Sequence, residues 1–314
     1  MNMMRILKGL MVATMVVAGS AIAEVSSAEH WVENGPVKLY VWEKFSGSKP
    51  SGRVVVLAHG SATAGKESFD LQVPSVADIS LMDVLARHGF DVFALDTRGF
   101  GRSTHPEGHM TTTEASSDLQ AVINHVTQLR GVEKVDLLAW SWATQYAGMY
   151  LMQSDAKVNR YISLAQMHMN SPDLAKRRPR VAFFRQNPYV NVPEEGWKPR
   201  FASMTPASAN IPEVIDAYAR AAFDIEKKSP TGPQLDMVTT MPMVNPRLIT
   251  VPTMIIHGEH DDVADMNGLL PFFEELPNMN KRYVIVPEAG HMTQFQKGRQ
   301  HLQRAIVDFL SETK

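Results

Sequence analysis

Six short apolar runs set the frame: Val54 to Ala58, Phe90 to Leu95, Val135 to Ala139, Tyr161 to Ala165, Thr253 to His257 and Tyr283 to Val286. Each is too short for an ordinary helix and lacks the alternation of a strand with one wet face, which predicts strands buried on both faces. Segments with helical spacing lie among them, at Ser80 to His88, Glu114 to Leu129, Ser141 to Gln153 and Met266 to Leu276, and Arg299 to Leu310 closes the series. Ser80 with Asp83 has the form of a capping box, and Gly89 that of a C-terminal stop. This alternation predicts an α/β fold with a mostly parallel sheet flanked by helices, its functional loops following the carboxyl ends of the strands. Ahead of it, Trp31 to Glu33 and Val37 to Trp42 flank Asn34-Gly35-Pro36, which reads as a hairpin.

The rhythm breaks between His168 and Arg247, where prolines recur at Pro172, Pro179, Pro188, Pro193, Pro199, Pro206, Pro212, Pro230, Pro233, Pro242 and Pro246. Such density rules out a long regular helix or a central strand, and a structureless loop of this length is unusual in a compact domain. The expectation is an inserted, mainly helical cap over 168–248 that includes a helix at Ile211 to Phe223, between a first core part at 24–167 and a second at 249–314.

Residues 1–23 read as an address: Arg5 and Lys8 precede the apolar run Leu10 to Ala18, and Ala21-Ile22-Ala23 supplies a cleavage pattern. The expected mature chain starts at Glu24, in the periplasm or outside the cell. The nine-residue apolar run falls short of the roughly 20 residues of a spanning helix, so no stable membrane insertion is expected after its removal. With no cysteine in the chain, disulfides, a thiol nucleophile and thiolate metal sites are excluded. Residues 24–314 keep 29 of the 31 basic residues and all 33 acidic ones, a formal charge of −4, which argues against nucleic acid as a partner.

The run ending at Ala139 leads through Trp140-Ser141-Trp142 into Ala143 and a helical segment, placing Ser141 on a sharp strand-to-helix turn. That turn needs small residues two before and two after the serine; here they are alanines in place of the usual glycines. A serine opening a helix is ordinarily an N-cap, so the turn alone does not make it catalytic. His59-Gly60-Ser61-Ala62 follows the first long run, and the N–H groups of Ser61 and Trp142 are candidates for an oxyanion hole. Asp261 lies in His257-Gly258-Glu259-His260-Asp261 and His291 in Pro287-Glu288-Ala289-Gly290-His291, each after a predicted strand. Read singly, these are an ordinary turn aspartate and an exposed histidine.

Taken in order, the pieces resemble the α/β-hydrolase fold family over nearly the whole mature length. The pieces that carry the resemblance are His59-Gly60, Asp96 to Ser103, the Ser141 elbow, His257-Gly258 with Asp261, and Gly290-His291. The order serine, acid, histidine is also the family's. The resemblance implies Ser141 as nucleophile, His291 as general base and Asp261 as the residue orienting it, preferred to Asp262 because it stands three residues after Gly258. It also implies a structural role for the Gly99-Phe100-Gly101 loop, which lacks the third glycine of a dinucleotide site. His257, Glu259, His260, Asp261 and Asp262 lie within six positions, but strand alternation separates their side chains and no second ligand cluster appears, so neither a metal nor a cofactor is expected.

The expected activity is hydrolysis of a small-molecule carboxylic ester or lactone, carboxylesterase-like, through an acyl-enzyme on Ser141. C–C bond hydrolysis, peptide hydrolysis and perhydrolysis use the same three residues and stand as alternatives, as does a catalytically silent ligand-binding protein. Epoxide hydrolase and dehalogenase chemistry would need an aspartate in place of Ser141. Residues 171–200 hold Lys176, Arg177, Arg178, Arg180, Arg185, Lys198 and Arg200 against Asp173, Glu194 and Glu195, and Phe183, Phe184, Tyr189, Trp197 and Phe201 are interleaved with the basic residues. The aromatics could simply pack the cap onto the core. The alternative expectation is that at least one of Arg180, Arg185 and Arg200 meets an anionic substrate group.

Overall fold

The computed structural model describes residues 24–47, 50, 52–153, 156–168, 171–264 and 266–312; the expected leader, 1–23, lies outside them. The chain begins with the hairpin β1 (Val25–Asn34) and β2 (Val37–Ser46), turning at Gly35. Then come β3 (Val54–Ala58), helices α1 (Gly65–Phe69) and α2 (Leu81–Arg87), β4 (Asp91–Leu95), α3 (Thr112–Arg130), β5 (Val135–Trp140), α4 (Ala143–Leu151) and β6 (Val158–Leu164). The inserted segment follows as α5 (Pro172–Arg177), α6 (Val181–Gln186), β7 (Tyr189–Asn191), α7 (Glu194–Ala202), α8 (Pro212–Ile225), β8 (Lys228–Pro230) and α9 (Gly232–Thr239). The chain then resumes with β9 (Thr253–Gly258), α10 (Leu269–Glu275), β10 (Lys281–Val286) and α11 (Arg299–Ser311).

Eight strands form one sheet in the order β1-β2-β4-β3-β5-β6-β9-β10. The pairs β1–β2 and β2–β4 are antiparallel and all others parallel. From β3 the chain passes to β4 on one side and then to β5 on the other, which opens a crevice between the carboxyl ends of β3 and β5. Strands β3, β4, β5 and β9 are buried at every position, as their unbroken apolar runs require. β10 departs from the expectation: it is the edge strand, most of its residues are half-buried, and Ile285 is exposed.

Two capping expectations also change. At α2, Ser80 accepts the Asp83 N–H (3.0 Å), but the Asp83 carboxylate turns to Lys44 (2.6 Å) and Gln72 (3.0 Å) instead of back to Ser80, so the box is half formed. The complete box stands at α3, where Thr111 accepts the Glu114 N–H (3.1 Å) and Glu114 accepts the Thr111 N–H (2.8 Å). The helix after Ser141 starts two residues later than expected, at Ala143.

The inserted segment is mainly short helices, with α8 close to its expected place, and carries the unexpected two-stranded β7–β8 pairing. It is seated on the core by polar contacts as well as apolar ones. Asp96, at the end of β4, accepts the N–H groups of Gly65 (2.8 Å) and Arg102 (3.0 Å), while Glu226, just past α8, accepts the Gly101 N–H (2.9 Å). The Gly99–Gly101 loop is therefore structural, holding the insertion against the sheet. No helix among the described residues is long and apolar enough to cross a membrane.

Candidate active site

Ser141 follows β5 with φ +59°, a left-handed backbone angle that a residue with a side chain adopts at a cost of roughly 1–3 kcal/mol. Its N–H donates to the Leu164 carbonyl (2.9 Å), and its own carbonyl accepts the N–H (2.9 Å) and hydroxyl (2.7 Å) of Thr144. These bonds hold the turn while the side chain points away from the sheet. Ala139 and Ala143, both fully buried, show that methyl groups fit where glycine is usual. The close approach falls on the neighbouring loop instead. A Cβ on Gly60 would stand 3.0 Å from the Ser141 Cβ, so glycine is what lets the loop after β3 lie against the serine.

Ser141 Oγ lies 2.8 Å from His291 Nε2, and His291 Nδ1 lies 3.0 and 3.1 Å from the two Asp261 carboxylate oxygens. The three sequence-derived residues thus form one hydrogen-bonded line, drawn from the ends of β5, β9 and β10. Asp261 Oδ1 also accepts the N–H groups of Val263 and Ala264, both at 3.0 Å. Burial pushes this carboxyl up, but the His291 and His257 imidazoles and the Ala264 amide outweigh that and hold it below the usual range. Asp262 is exposed and stands outside the line.

The loop before Ser61 is fixed by a histidine whose role the sequence did not reveal. His59 is fully buried; its Nδ1–H donates to the Gly60 carbonyl (2.7 Å) and its Nε2 accepts the Thr97 N–H (3.1 Å). Burial lowers its pKa to about 4, against the Gly60 carbonyl's opposing pull, so it braces the loop as a neutral ring. Tyr146 donates its hydroxyl to the His59 carbonyl (2.9 Å) from α4. Among the described residues, the Ser61 and Trp142 N–H groups have no recorded acceptor, leaving both available at the crevice.

Other supports are equally non-local. The Trp140 indole N–H donates to the His291 carbonyl (3.0 Å), and the His291 N–H donates to Met204 of the inserted segment (3.1 Å). A Cβ on Gly258 would meet the Gly290 and Ala289 carbonyls at 2.5 and 2.6 Å, so this glycine lets the end of β9 meet the histidine loop. The residues weighed as metal ligands have separate tasks: His257 Nε2 accepts the Gln166 N–H (3.0 Å), Glu259 accepts the Glu288 N–H (3.1 Å), and His260 and Asp262 are exposed.

A cavity of about 530 Å³ opens on Ser141 and His291, with Gly60 and Ser61 on the core side and the inserted segment opposite. Of the three arginines singled out in sequence, Arg180 and Arg200 line it; Arg185 is exposed and outside it. Arg180 lies over the Phe183 and Phe184 rings at 4.9 and 5.1 Å. Phe183 and Phe184 line the cavity wall, whereas Trp197 is fully buried in the packing of the insertion.

A mostly parallel sheet in this strand order, with a serine on the turn after β5 and a histidine after the last strand, defines the α/β-hydrolase class. Within it, the chain belongs to the serine aminopeptidase S33 family, whose profile matches residues 51–297, and is thereby a hydrolase. Similar solved structures include a malate-bound thermophilic esterase from Thermogutta terrifontis, with 21% identity over 91% of this chain and 98% of that one and a TM-score of 0.66. A monoacylglycerol lipase from Paleococcus ferrophilus matches with 20% identity, 87% and 98% coverage and a TM-score of 0.66. A 2-hydroxy-6-oxo-6-phenylhexa-2,4-dienoate hydrolase from Rhodococcus sp. strain RHA1 matches with 16% identity, 92% and 100% coverage and a TM-score of 0.68. No curated protein matches the chain in sequence.

Proposed function

We propose that the protein is an exported serine esterase, acting in the periplasm or outside the cell, that cleaves a small-molecule carboxylic ester or lactone through an acyl-enzyme on Ser141. The observation that carries this reading is the continuous line from Ser141 Oγ through His291 to Asp261. In this mechanism the hydroxyl attacks the carbonyl carbon as its proton passes to His291 Nε2, and Asp261 keeps Nδ1 protonated and stabilises the imidazolium. The oxyanion that forms accepts the N–H groups of Ser61 and Trp142, each such donor being worth roughly 3 kcal/mol. His291 then protonates the departing alkoxide. Water attacks the acyl-enzyme by the same steps and frees Ser141.

We read residues 168–248 as a cap that closes the far side of the substrate cavity, with core parts at 24–167 and 249–314. The cavity's size supports a small substrate. Its charge speaks against an aminopeptidase, which needs a carboxylate for the substrate's ammonium group. Among the described residues the cavity's one carboxylate belongs to Asp173, already paired with Arg177 (2.6 Å). The esterase and lipase among the structural neighbours accord with ester chemistry.

The test is active-site labelling with a fluorophosphonate followed by turnover of an ester and lactone panel. Ser141 is expected to carry the label, and Ser141→Ala to lose both label and turnover. Labelling of another serine, or undiminished turnover by Ser141→Ala, would overturn the assignment.

A further inference from the structure

The wall facing Ser141 is unusual in its charge. Among the described residues four cations, Lys176, Arg177, Arg180 and Arg200, line the cavity against the single carboxylate of Asp173, in a chain whose formal net charge is −2. Arg177 is matched by Asp173, Arg180 is stacked over phenylalanine rings, and Lys176 is exposed. Arg200 is different. It sits on α7 beside the core, its Nη2 donating to the Ser61 carbonyl (3.2 Å) and its Nη1 to Ser229 Oγ (3.4 Å), with the guanidinium 5.0 Å over the Trp197 ring. Ser61 and Ser229 line the same cavity.

No carboxylate stands within ion-pair distance of Arg200 among the described residues. Arg98 is matched with Asp118 and Glu114 and Arg130 with Asp91 and Glu43, while the buried Arg160 and Arg299 bond to backbone carbonyls away from the cavity; Arg200, without an acid, lines the cavity that holds Ser141. Arg200 is half-buried at the cavity wall, and with only two long hydrogen bonds to neutral oxygens it keeps donors free for a ligand and a charge without an ion-pair partner. Burial lowers its pKa, with Arg177 adding to the fall and Tyr218 and Glu226 opposing it. Its position is specific, because Ser61 offers its carbonyl to Arg200 and its N–H to the crevice at Ser141.

We propose that Arg200 binds a carboxylate of the substrate, so that the preferred esters carry a carboxylate a few bonds from the scissile carbonyl, as a half-ester of a short dicarboxylic acid does. The assignment rests on Ser141 being the nucleophile. With the oxyanion on the Ser61 amide, an anion within reach of Arg200 bridges the short span of that one residue. The guanidinium then supplies the paired N–H groups that suit a carboxylate, and the substrate supplies the missing counter-charge. The aromatic stretch around Phe183 and Phe184 remains for the rest of the molecule.

The test compares monoethyl succinate with ethyl butyrate, which has a methyl group where the half-ester has its carboxylate, by ethanol release from the full protein. The wild type is expected to favour the half-ester at least about 10-fold in kcat/KM, from a charge-assisted contact. Arg200→Gln is expected to raise KM for the half-ester about 30-fold more than for ethyl butyrate, with Arg200→Lys recovering part of the difference. An equal loss of kcat on both esters would show that Arg200 only braces the Ser61 loop, and would overturn the proposal. So would a wild type that prefers ethyl butyrate, a result that needs no variant to fold. A protein labelled at Ser141 by a fluorophosphonate yet inert towards the half-ester refutes this inference alone, whereas failure of labelling refutes the esterase reading beneath it.

Discussion

Replacing Asp261 by asparagine tests the hydrogen-bonded line at its most constrained point. Asp261 Oδ1 is fixed by the Val263 and Ala264 N–H groups, both at 3.0 Å, while Oδ2 faces His291 Nδ1 at 3.0 Å. An asparagine keeps its oxygen on the two amides, which places its NH₂ against Nδ1. That donor, at the shorter of the two contacts with Nδ1 (3.0 against 3.1 Å), favours the tautomer in which Nδ1 accepts and Nε2 carries the proton, so that Nε2 cannot take the one from Ser141. Turning the amide over restores the useful tautomer but leaves two buried N–H groups facing an NH₂, at about 1–3 kcal/mol each. The productive orientation is therefore disfavoured by roughly 2–6 kcal/mol, a factor of roughly 30 to 10⁴. The upper end agrees with the loss of about 10⁴ in kcat known for this substitution in other triads. The assay is kcat for an activated ester at neutral pH, with the fluorophosphonate labelling rate as a second reading and Asp262→Asn as the exposed control. A loss below tenfold in Asp261→Asn, or an equal loss in Asp262→Asn, would refute the reasoning and reassign the acid.

Two further outcomes concern the scaffold. Burial, and next the neighbouring carboxylate, raise Asp96 to about 7 and push Glu226 well up, with Glu67 also raised by its burial. Such acids bind more protons folded than unfolded between their ordinary values near 4 and their raised ones. Their stabilisation is complete below that window and falls as pH rises through it. Glu226→Gln keeps an oxygen for the Gly101 N–H and removes the charge, so its urea midpoint should exceed the wild type's at pH 8, with the gap narrowing toward pH 5; a less stable variant at pH 8 would contradict the sign. Thr111→Ala removes the complete capping box of α3 and should cost about 1 kcal/mol in urea unfolding without loss of ester turnover, whereas an unmoved midpoint would show that the cap contributes nothing.

What the sequence made legible were features written in consecutive residues. The strand runs were found within a few positions because burial on both faces leaves an unbroken apolar stretch. β1 was seen only at Trp31 to Glu33, since Val25 to His30 carries no apolar alternation and is held by its pairing with β2. Ser141, Asp261 and His291 were legible because each lies within five residues after the end of a strand. Their supports were not: the Trp140 indole reaches His291 across 151 positions, and His59 meets Thr97 across 38. Arg185 and Arg200 look alike in sequence. Only the packing of the inserted helices turns one to solvent and the other to the cavity. The half-formed box at Ser80 failed for a related reason, since Lys44 and Gln72 compete for Asp83 from other elements.

The spread of the hydrogen-bonded line along the chain also sets the order in which its members emerge from the ribosome. Ser141 is made 150 residues before His291, and the histidine belongs to a loop that exists only once β10 has docked on β9 and Met204 has closed over it. A nascent chain that has completed β5 and α4 holds a hydroxyl with nothing to take its proton. On the proposed mechanism hydrolytic activity requires the final strand to be in place, so its appearance during refolding should report the docking of β10.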